Sequence, residues 1–413
     1  MNVFPNSARA FGYQLQHDFV DATRPARHPD WLQWIAAIQS DQAFDARKIV
    51  ALLRQLDPAA DFPLLVDAVT AGEQITLEPA SECLLWQPAQ PDHYIFQRLA
   101  TPQQLPSLQL YRFRDVVLSY NLNPLQYYLF DAAGRLLDRL ICGATPFQEP
   151  PIAEVAEPVV FADDIFPAFN ICHLLFDKFP RIQHLHHRAG VQRALLVNGG
   201  TYIDQLLQPW DVSASSLRSY GPRGSVRLKE AWFFSNSFGR IPHPGRFGSP
   251  VYSAAFQACR AHFGIGDHSP SRRLFVHRPD GGPRSITNLS AVEALLKRWS
   301  IELVDPGALP FQQQVALFAS ADFLIGVHGA GLTNMLFMPP GGTVLELLPP
   351  MCATASYWGI ASALGITYRH LVCHDPELGA VDARDRPHSP QHNRRRVELP
   401  IPLLEAELNQ LLG

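Results

Sequence analysis

The spacing of apolar residues changes along the chain. From residue 31 to about 70, "DWLQWIAAIQ" and "DARKIVALLRQL" carry apolar residues three and four positions apart, which predicts amphipathic helices. From about residue 107, "LQLYRFRDVVLSYN" and "LQYYLFDAAGRLLDRLI" predict strands, with a turn at 131–134. "FQEPPIAEVAEP" then predicts an extended connector, because its prolines disfavour both helix and sheet.

Helix and strand patterns alternate regularly from residue 272. The apolar runs "RRLFVHR", "IELVDP", "DFLIGV" and "TVLEL" predict strands, and "LSAVEALLKRWS", "FQQQVALFASA" and "LTNMLFM" predict the helices between them. This alternation is typical of a parallel sheet with helical crossovers, so we predict an α/β, Rossmann-like fold. Upstream, residues 168–188 predict a helix that Pro180 ends or kinks.

A glycine-rich loop follows the third of these strands, at His328 to Gly331. Ligands of such sheets bind beyond the carboxyl ends of the strands, where this loop is expected to lie. Gly329 and Gly331 tolerate positive φ, and the N–H groups from Leu332 to Asn334 would then face an anion such as a diphosphate. A tight turn without a ligand is the alternative.

Two arginines are predicted on the same edge of the sheet. Arg278 follows the strand "RRLFV", and Arg284 lies in a Gly/Pro-rich loop before a helix. A guanidinium group can bind phosphate oxygens there, and surface salt bridging is the plain alternative. The loop is not a dinucleotide fingerprint, because Asn334 occupies the third glycine position, and it lacks the lysine of a P-loop. A mononucleotide diphosphate fits better.

Composition limits the functional classes. The 413 residues predict two or three domains, and 47% hydrophobic with 17% charged residues is typical of a soluble globular protein. A net charge of −4 gives no reason to expect a nucleic-acid partner. The six cysteines form no CxxC pair, which argues against a zinc knuckle and favours reduced thiols. The sequence shows no apparent leader or membrane-spanning segment, so we expect a cytoplasmic protein. Peripheral association with the inner face of a membrane is compatible with this location.

The motifs downstream of residue 271 resemble those of glycosyltransferase family 61. Because the chain shows no apparent leader or anchor, it is expected to be more similar to the bacterial members of that family. The resemblance is dense over "RRLFVHRPDGGPRSITN" and "PFQQQVALFASADFLIGVHGAGLTNMLFMPPGGTVLEL". The residues that carry it are Arg278, Arg284, Asn288, Gln314, His328, Gly329, Ala330, Gly331, Leu332, Thr333, Asn334 and Glu346. It implies that these residues, apart from Gln314, to which no role is assigned, bind a nucleotide-sugar donor, with Glu346 on ribose hydroxyls and His328 on phosphate. Helix capping by Glu346 and pinning of the loop by His328 are the alternatives.

A second family motif, Asn-x-x-His-x-x-x-Asp/Glu, reads Asn170, His173 and Asp177 here. The i, i+3 and i+7 spacing places the three residues on one face of a helix. Either His173 or Asp177 is the candidate general base, since an imidazole titrates near neutral pH. A buried structural histidine is the plain reading of His173.

The resemblance implies a GT-B architecture, in which two Rossmann-like domains face a cleft. We expect a mainly helical accessory region at 1–100, an acceptor-side domain at 101–265 and a nucleotide-sugar-binding domain at 266–390. A tail and helix at 391–413 would pack back on the N-terminal domain.

The implied activity is inverting transfer of a sugar, commonly UDP-linked, to a hydroxyl of a glycan or glycolipid, as in bacterial surface polysaccharide synthesis. No cofactor or metal is expected, because the chain lacks an Asp-x-Asp motif at a strand end. The histidines at 184, 186 and 187 favour a solvated helix end over a metal site. A non-catalytic nucleotide- or glycan-binding protein is the alternative function, and the oligomeric state stays open.

Overall fold

The computed structural model describes residues 65–66, 72–83, 103–105, 107–123, 125–142, 147–162, 171–197, 201–234, 244–266, 270–277, 282–350, 355–377 and 395–413. These residues belong to two compact units. The first takes in the described parts of Met1–Ser81 and Pro106–Pro242, and the second those of Glu82–Leu105 and His243–Gly413. The division at 242/243 lies upstream of the predicted one at 265/266, because a helix at Pro250–His262 belongs to the second unit.

The described strands are β1 Leu65–Val66, β2 Glu73–Glu78, β3 Ser81–Cys83, β4 Gln103–Leu105, β5 Leu108–Leu122, β6 Leu125–Phe130, β7 Leu136–Cys142, β8 Ala153–Val155, β9 Val159–Phe161, β10 Arg193–Leu196, β11 Ser213–Ser216, β12 Arg223–Phe234, β13 Arg272–Val276, β14 Ile301–Val304, β15 Ala321–Val327, β16 Thr343–Leu348 and β17 Thr367–Val372. The described α-helices are α1 Ile171–His173, α2 Phe179–Ala189, α3 Thr201–Leu207, α4 Pro250–His262, α5 Leu289–Arg298, α6 Phe311–Ala319, α7 Ser356–Ala363 and α8 Ile401–Leu412. A π-helix spans Leu174–Lys178, and 3₁₀ helices span Gln208–Trp210, Leu217–Tyr220, Pro244–Gly248, Pro306–Ala308 and Ala330–Phe337. Most of the segment from 31 to about 70, for which helices are predicted, lies outside the described residues. Its described part, Leu65–Val66, forms a strand.

The first unit contains a mixed sheet, which differs from the parallel sheet expected of a Rossmann-like domain. Its described strands follow the order β1-β7-β6-β5-β12-β9-β10-β11. β9, β10 and β11 are parallel, but β5, β6, β7 and β12 pair antiparallel. The predicted turn explains the antiparallel part: the Asp131 carboxylate accepts the N–H groups of Ala133 and Arg135, and Gly134 has φ 77°. Such a short connection joins only antiparallel strands.

The helix predicted around Pro180 continues past the proline. Between α1 and α2 the chain forms the π-helix, and the N–H of Phe179 bonds to the carbonyl of Leu174, five residues back. Pro180 has no N–H to donate, and its ring would clash with the carbonyl four residues earlier. The wider π turn just before Pro180 accommodates this defect, and such insertions are frequent at functional sites.

The second unit contains a five-stranded parallel sheet in the order β14-β13-β15-β16-β17. The four strands predicted from residue 272 are confirmed as β13, β14, β15 and β16. The fifth, β17, was not predicted, because Arg369 and His370 interrupt its apolar pattern although both are buried. The guanidinium of Arg369 donates to Glu407 of α8 at 3.0 Å, which compensates the buried charge.

The C-terminal helix α8 packs on the second unit, whereas the sequence suggested packing on the N-terminal domain. Leu404 and Leu408 belong to the same buried cluster as Phe275 of β13 and Ile325 of β15. The apolar face of α8 is therefore part of the core around the parallel sheet.

Candidate functional site

The parallel sheet of the second unit has one point at which the strand order reverses. The chain leaves β13 for β14 on one side and then returns to β15 on the other. The loops that follow β13 and β15 diverge from adjacent strands at such a point, which creates the crevice where α/β sheets bind ligands. His277 follows β13 and His328 follows β15, so the predicted glycine loop lies at this switch point.

The two glycines of the loop do not adopt the positive φ that the sequence suggested. Gly329 has φ 161° and ψ 172°, which is extended backbone, and Gly331 lies in the 3₁₀ helix without a left-handed φ. Gly331 is required for a different reason: a Cβ there would lie 2.5 Å from Cγ1 of Val276 on β13. The absent side chain lets the loop after β15 approach the end of β13.

The start of the 3₁₀ helix is also less open than predicted. The N–H of Leu332 donates to the carbonyl of Gly329 at 3.0 Å, so it is not available to an anion. The side chains of Thr333 and Asn334 fold back onto the carbonyls of Ala330 and Gly331. The i→i+3 bond of Leu332 thus uses an N–H of the kind that the first turn of an α-helix leaves unsatisfied.

Several buried polar atoms in the loops after β13 and β15 have no hydrogen-bond partner among the residues that the structure describes. They are Nδ1 of His277, Nε of Arg284, Oγ of Ser285 and Oδ1 of Asn334. Ser285 is 2% exposed and Asn334 is 1% exposed. An unmet buried polar group costs about 1–3 kcal/mol, and such groups are a feature of sites that bind polar ligands.

Arg284 is held in a strained backbone conformation. Its φ of 63° falls in the left-handed region, which a residue with a Cβ adopts at a cost of about 1–3 kcal/mol. The following residues hold the loop in place, because Ile286 forms a β-bridge with Val397. Strain of this kind is characteristic of ligand-binding segments, and here it coincides with a buried guanidinium atom that lacks a partner.

Two other residues of the family motif, Asn288 and Gln314, support the local structure. The side-chain amide of Asn288 donates to the carbonyl of Leu399 at 2.8 Å and accepts the N–H of Leu399 at 3.0 Å. The amide of Gln314 donates to the carbonyl of Leu309 at 2.9 Å. Asn288 thus clamps the segment before α8, and Gln314 closes the loop before α6.

His328 and Glu346 form the centre of a buried polar network. Nδ1 of His328 lies 2.5 Å from Oε1 of Glu346, and the hydroxyl of Tyr368 donates to Oε2 at 2.5 Å. The hydroxyl of Tyr357 donates to the carbonyl of Gly329 at 2.6 Å, and its ring contacts that of His328 edge-on at 5.2 Å. Sequence reasoning missed both tyrosines, since β17 and α7 lie outside the motif and only the fold brings them to the loop.

The far end of the loop is fixed to α4. The guanidinium of Arg260 donates to the carbonyls of Leu336, Met338 and Leu364, at 3.0, 2.5 and 2.8 Å. Burial lowers the pKa of Arg260 to about 10, which still leaves the group charged at neutral pH. One residue of α4 therefore holds the carbonyl end of the 3₁₀ helix.

The upstream motif is in the first unit, at the π-helix. His173 is the last residue of α1 and is 6% exposed, and Asp177 lies within the π-helix with no exposed area. The Asp177 carboxylate is 2.5 Å from the guanidinium of Arg181 and 4.0 Å from Nζ of Lys178. Arg181 and Lys178 are also fully buried. Asp177 thus pairs with Arg181 and offsets part of the positive charge of the two buried cations.

Two predicted site residues, Asn170 and Arg278, lie outside the described residues. Over the described ranges, no group of three His, Cys, Asp or Glu side chains could hold a metal ion. Burial, reinforced by Arg188, lowers the pKa of His184, so this histidine in the middle of α2 favours its neutral form. In the part of the chain that the structure describes, no helix has the length and apolar character to cross a bilayer.

The segment from Ile171 to Leu345 matches the sequence profile described as Glycosyltransferase 61. Over this segment, the chain is similar to glycosyltransferase family 61. The matched residues begin at α1, include the π-helix with His173 and Asp177, and continue through β13, β15 and the glycine loop. The family match therefore joins the upstream motif and the switch-point loop that the sequence had singled out.

Individual family 61 relatives share a shorter segment. The EGF domain-specific O-linked N-acetylglucosamine transferase of Drosophila melanogaster is 37% identical over 75 residues, which is 17% of this chain and 14% of that protein. The beta-1,2-xylosyltransferase XAX1 of Oryza sativa subsp. japonica is 36% identical over 80 residues, 19% of this chain and 14% of that protein. The corresponding transferase of Xenopus laevis is 37% identical over 91 residues, 21% of this chain and 17% of that protein.

The chain thus spans less than a fifth of the length of these relatives. They come from a fly, a plant and a frog, and they give no support to the predicted likeness to bacterial family 61 members.

Proposed function

We propose that the protein is a glycosyltransferase that moves a sugar from a nucleoside diphosphate donor to a hydroxyl acceptor. The observation that carries this proposal is the set of buried, unpartnered polar atoms of Arg284, Ser285 and Asn334 near the switch point, within a segment that matches family 61. A polar, anionic ligand at this point would satisfy those atoms and offset the strain at Arg284.

The donor diphosphate would be held by the second unit. Arg284 supplies a positive charge from the loop after β13, and His328 supplies a ring nitrogen from the loop after β15. As the bond from the anomeric carbon to the diphosphate oxygen breaks, negative charge grows on the leaving group, and these side chains would stabilise it. Arg278 is proposed as a further phosphate contact from the sequence motif alone.

The general base would be His173 of the first unit. Asp177 has no exposed area and is paired with Arg181 at 2.5 Å, so it cannot accept a proton from an acceptor hydroxyl without breaking that pair. We therefore assign to Asp177 the role of holding the π-helix and to His173 the removal of the acceptor proton. In a GT-B enzyme one domain binds the donor and the other supplies acceptor-side residues, and we propose this division of roles for the two units.

The mechanism is proposed to be inverting and independent of a metal. The acceptor oxygen attacks the anomeric carbon from the face opposite the departing diphosphate, so a single displacement inverts the configuration. Cationic side chains at the diphosphate fill the role that a divalent ion plays in other transferases. The names of the relatives make UDP-N-acetylglucosamine and UDP-xylose the first donors to examine.

The experiment measures release of UDP from a panel of UDP-sugars with glycan and glycopeptide acceptors, in excess chelator. We expect turnover of at least one donor, lost by at least about 100-fold in His173→Ala. Nucleotide binding without consumption of any donor would instead indicate a non-catalytic binding protein. Activity that disappears in chelator and returns with Mn²⁺ would contradict the metal-independent mechanism.

A further inference from the structure

Ser285 carries a buried hydroxyl group that the fold of the second unit leaves unused. The residue is 2% exposed, and its Oγ atom has no hydrogen-bond partner in the part of the chain that the structure describes. A hydroxyl group that loses its water on burial and gains no partner destabilises the folded chain. The stability of the fold therefore gives no reason for a serine at this position.

A second buried serine, Ser225, shows how the fold satisfies such a group elsewhere. Ser225 has no exposed area, its Oγ lies 2.7 Å from Oγ of Ser119, and it accepts the N–H of Glu149 at 3.2 Å. Ser285 is buried to nearly the same degree but makes neither kind of contact with the described residues. A bound ligand would supply the partner that the protein does not.

The backbone around Ser285 is fully bonded and fixes the position of the hydroxyl group. The N–H of Ser285 donates to the carbonyl of Gly282 at 3.1 Å, and its carbonyl accepts the N–H of Val397 at 3.0 Å. The N–H of Thr287 donates to the carbonyl of Val397 at 2.9 Å, and Ile286 and Val397 are buried in the same core cluster. The site is thus formed before a ligand arrives, which lowers the entropic cost of binding.

We propose that Ser285 is a further residue of the nucleotide-sugar site, whose hydroxyl group donates a hydrogen bond to a phosphate oxygen of the diphosphate. The preceding residue, Arg284, has a buried Nε atom that also lacks a partner among the described residues. Consecutive Cα atoms are only about 3.8 Å apart, and a diphosphate has several acceptor oxygens, so one ligand can meet both side chains. A hydrogen bond to an anionic oxygen is stronger than one between neutral groups. This contact rests on the proposed function, which supplies the diphosphate.

The test combines thermal unfolding with calorimetric titration of UDP, inorganic pyrophosphate and uridine into the full chain. Ser285→Ala removes the hydroxyl group, and Ser285→Cys keeps a side chain of similar size that is only a weak hydrogen-bond donor. Ser225→Ala is the matched control, because it removes a buried hydroxyl group that has partners.

We expect Ser285→Ala to melt no lower than the wild type, since it removes an unsatisfied polar group. It should bind UDP and pyrophosphate about tenfold or more weakly, as for a lost hydrogen bond to a charged group, with unchanged affinity for uridine. Ser285→Cys should lose nearly as much affinity for UDP. Ser225→Ala should melt at a lower temperature than the wild type and keep its affinity for UDP.

The contact is overturned if Ser285→Ala or Ser285→Cys binds UDP as tightly as the wild type does. It is also overturned if Ser285→Ala loses as much stability as Ser225→Ala, which indicates a structural hydroxyl group, or if affinity for uridine falls and affinity for pyrophosphate does not, which indicates a contact with the nucleoside. In each of these cases the wild type still binds UDP, and the proposed function stands. A wild-type protein that binds neither UDP nor pyrophosphate would contradict the proposed function together with this contact.

Discussion

The backbone of Gly331 lies directly against the side chain of Val276, so that a Cβ at Gly331 would be 2.5 Å from Cγ1 of the valine. This contact brings the loop after β15 to the end of β13. Gly331→Ala should therefore destabilise the protein by about 1–3 kcal/mol, since one residue must move to relieve the overlap. Thermal unfolding of the purified variant measures the effect.

The same contact supplies a rescue and a control. Val276→Ala in the Gly331→Ala background removes Cγ1 and should recover part of the lost stability. Gly248→Ala, where an added Cβ meets no atom within 4 Å, should have little effect. Equal destabilisation by Gly248→Ala and Gly331→Ala would contradict the close approach.

Two substitutions of Arg284 should differ in their effect on protein stability but not in their effect on UDP binding. At φ 63° a glycine is unstrained, so Arg284→Gly should be more stable than Arg284→Ala by about 1 kcal/mol. Both variants lack the guanidinium and should lose UDP affinity equally, by about tenfold or more. Chemical denaturation and calorimetry on the same samples test this, and retention of wild-type affinity by either variant would remove Arg284 from the donor site.

Arg260 should be a principal support of the loop. Arg260→Ala leaves three carbonyls without their donor and should cost about 3 kcal/mol, whereas Arg260→Lys, with one nitrogen, should cost less. The neighbouring Cys259 reports the opening of this region, because burial raises the pKa of its thiol to about 12 and keeps it unreactive at pH 8. Alkylation of Cys259 should be faster in Arg260→Ala.

A surface ion pair provides the comparison for Arg260. Arg298 pairs with Glu405 at 2.7 Å, but its side chain is 64% exposed, so Arg298→Ala should change stability by less than about 1 kcal/mol. If Cys259 reacted equally fast in Arg298→Ala and Arg260→Ala, the three hydrogen bonds would not be the cause.

Substitutions of His173 and of Asp177 should affect the protein in different ways. Asp177→Asn removes the partner of the buried Arg181 and Lys178 and should destabilise the first unit by about 3–5 kcal/mol. His173→Ala should keep most of the stability and lose donor turnover by at least about 100-fold. Thermal melts and UDP release distinguish them, and a stable, inactive Asp177→Asn would return the role of base to Asp177.

The sequence indicates much of the second unit because its signals are local. Strongly apolar strands alternate with amphipathic helices, so β13, β14, β15 and β16 are predictable from windows of a few residues. β17 was missed because its buried Arg369 is compensated by Glu407, 38 positions later in the chain. The π turn could not be predicted, because Pro180 indicates an irregularity in the helix but not whether the helix ends or widens there.

The candidate site was predictable only in part, because many of its contacts join residues that are far apart in the sequence. The motif residue Asn288 can be recognised in the sequence. Its hydrogen-bond partner Leu399 is 111 positions away, so the contact between them is known only from the structure. Tyr357 and Tyr368 have no motif of their own, and their relation to His328 depends on the placement of α7 and β17. Ser285 is inconspicuous in sequence, and only burial without a partner for its hydroxyl draws it into the site.

Donor binding by the second unit is tested most directly by calorimetric titration of UDP into the full chain in the presence of chelator. The same titration of Arg284→Gly shows whether binding depends on the proposed site. We expect one binding site per chain in the wild type and affinity at least about tenfold weaker in Arg284→Gly. Two results would contradict a donor-binding site at the switch point of the parallel sheet. One is that neither UDP nor any other nucleoside diphosphate binds at millimolar concentration. The other is that Arg284→Gly binds UDP as tightly as the wild type.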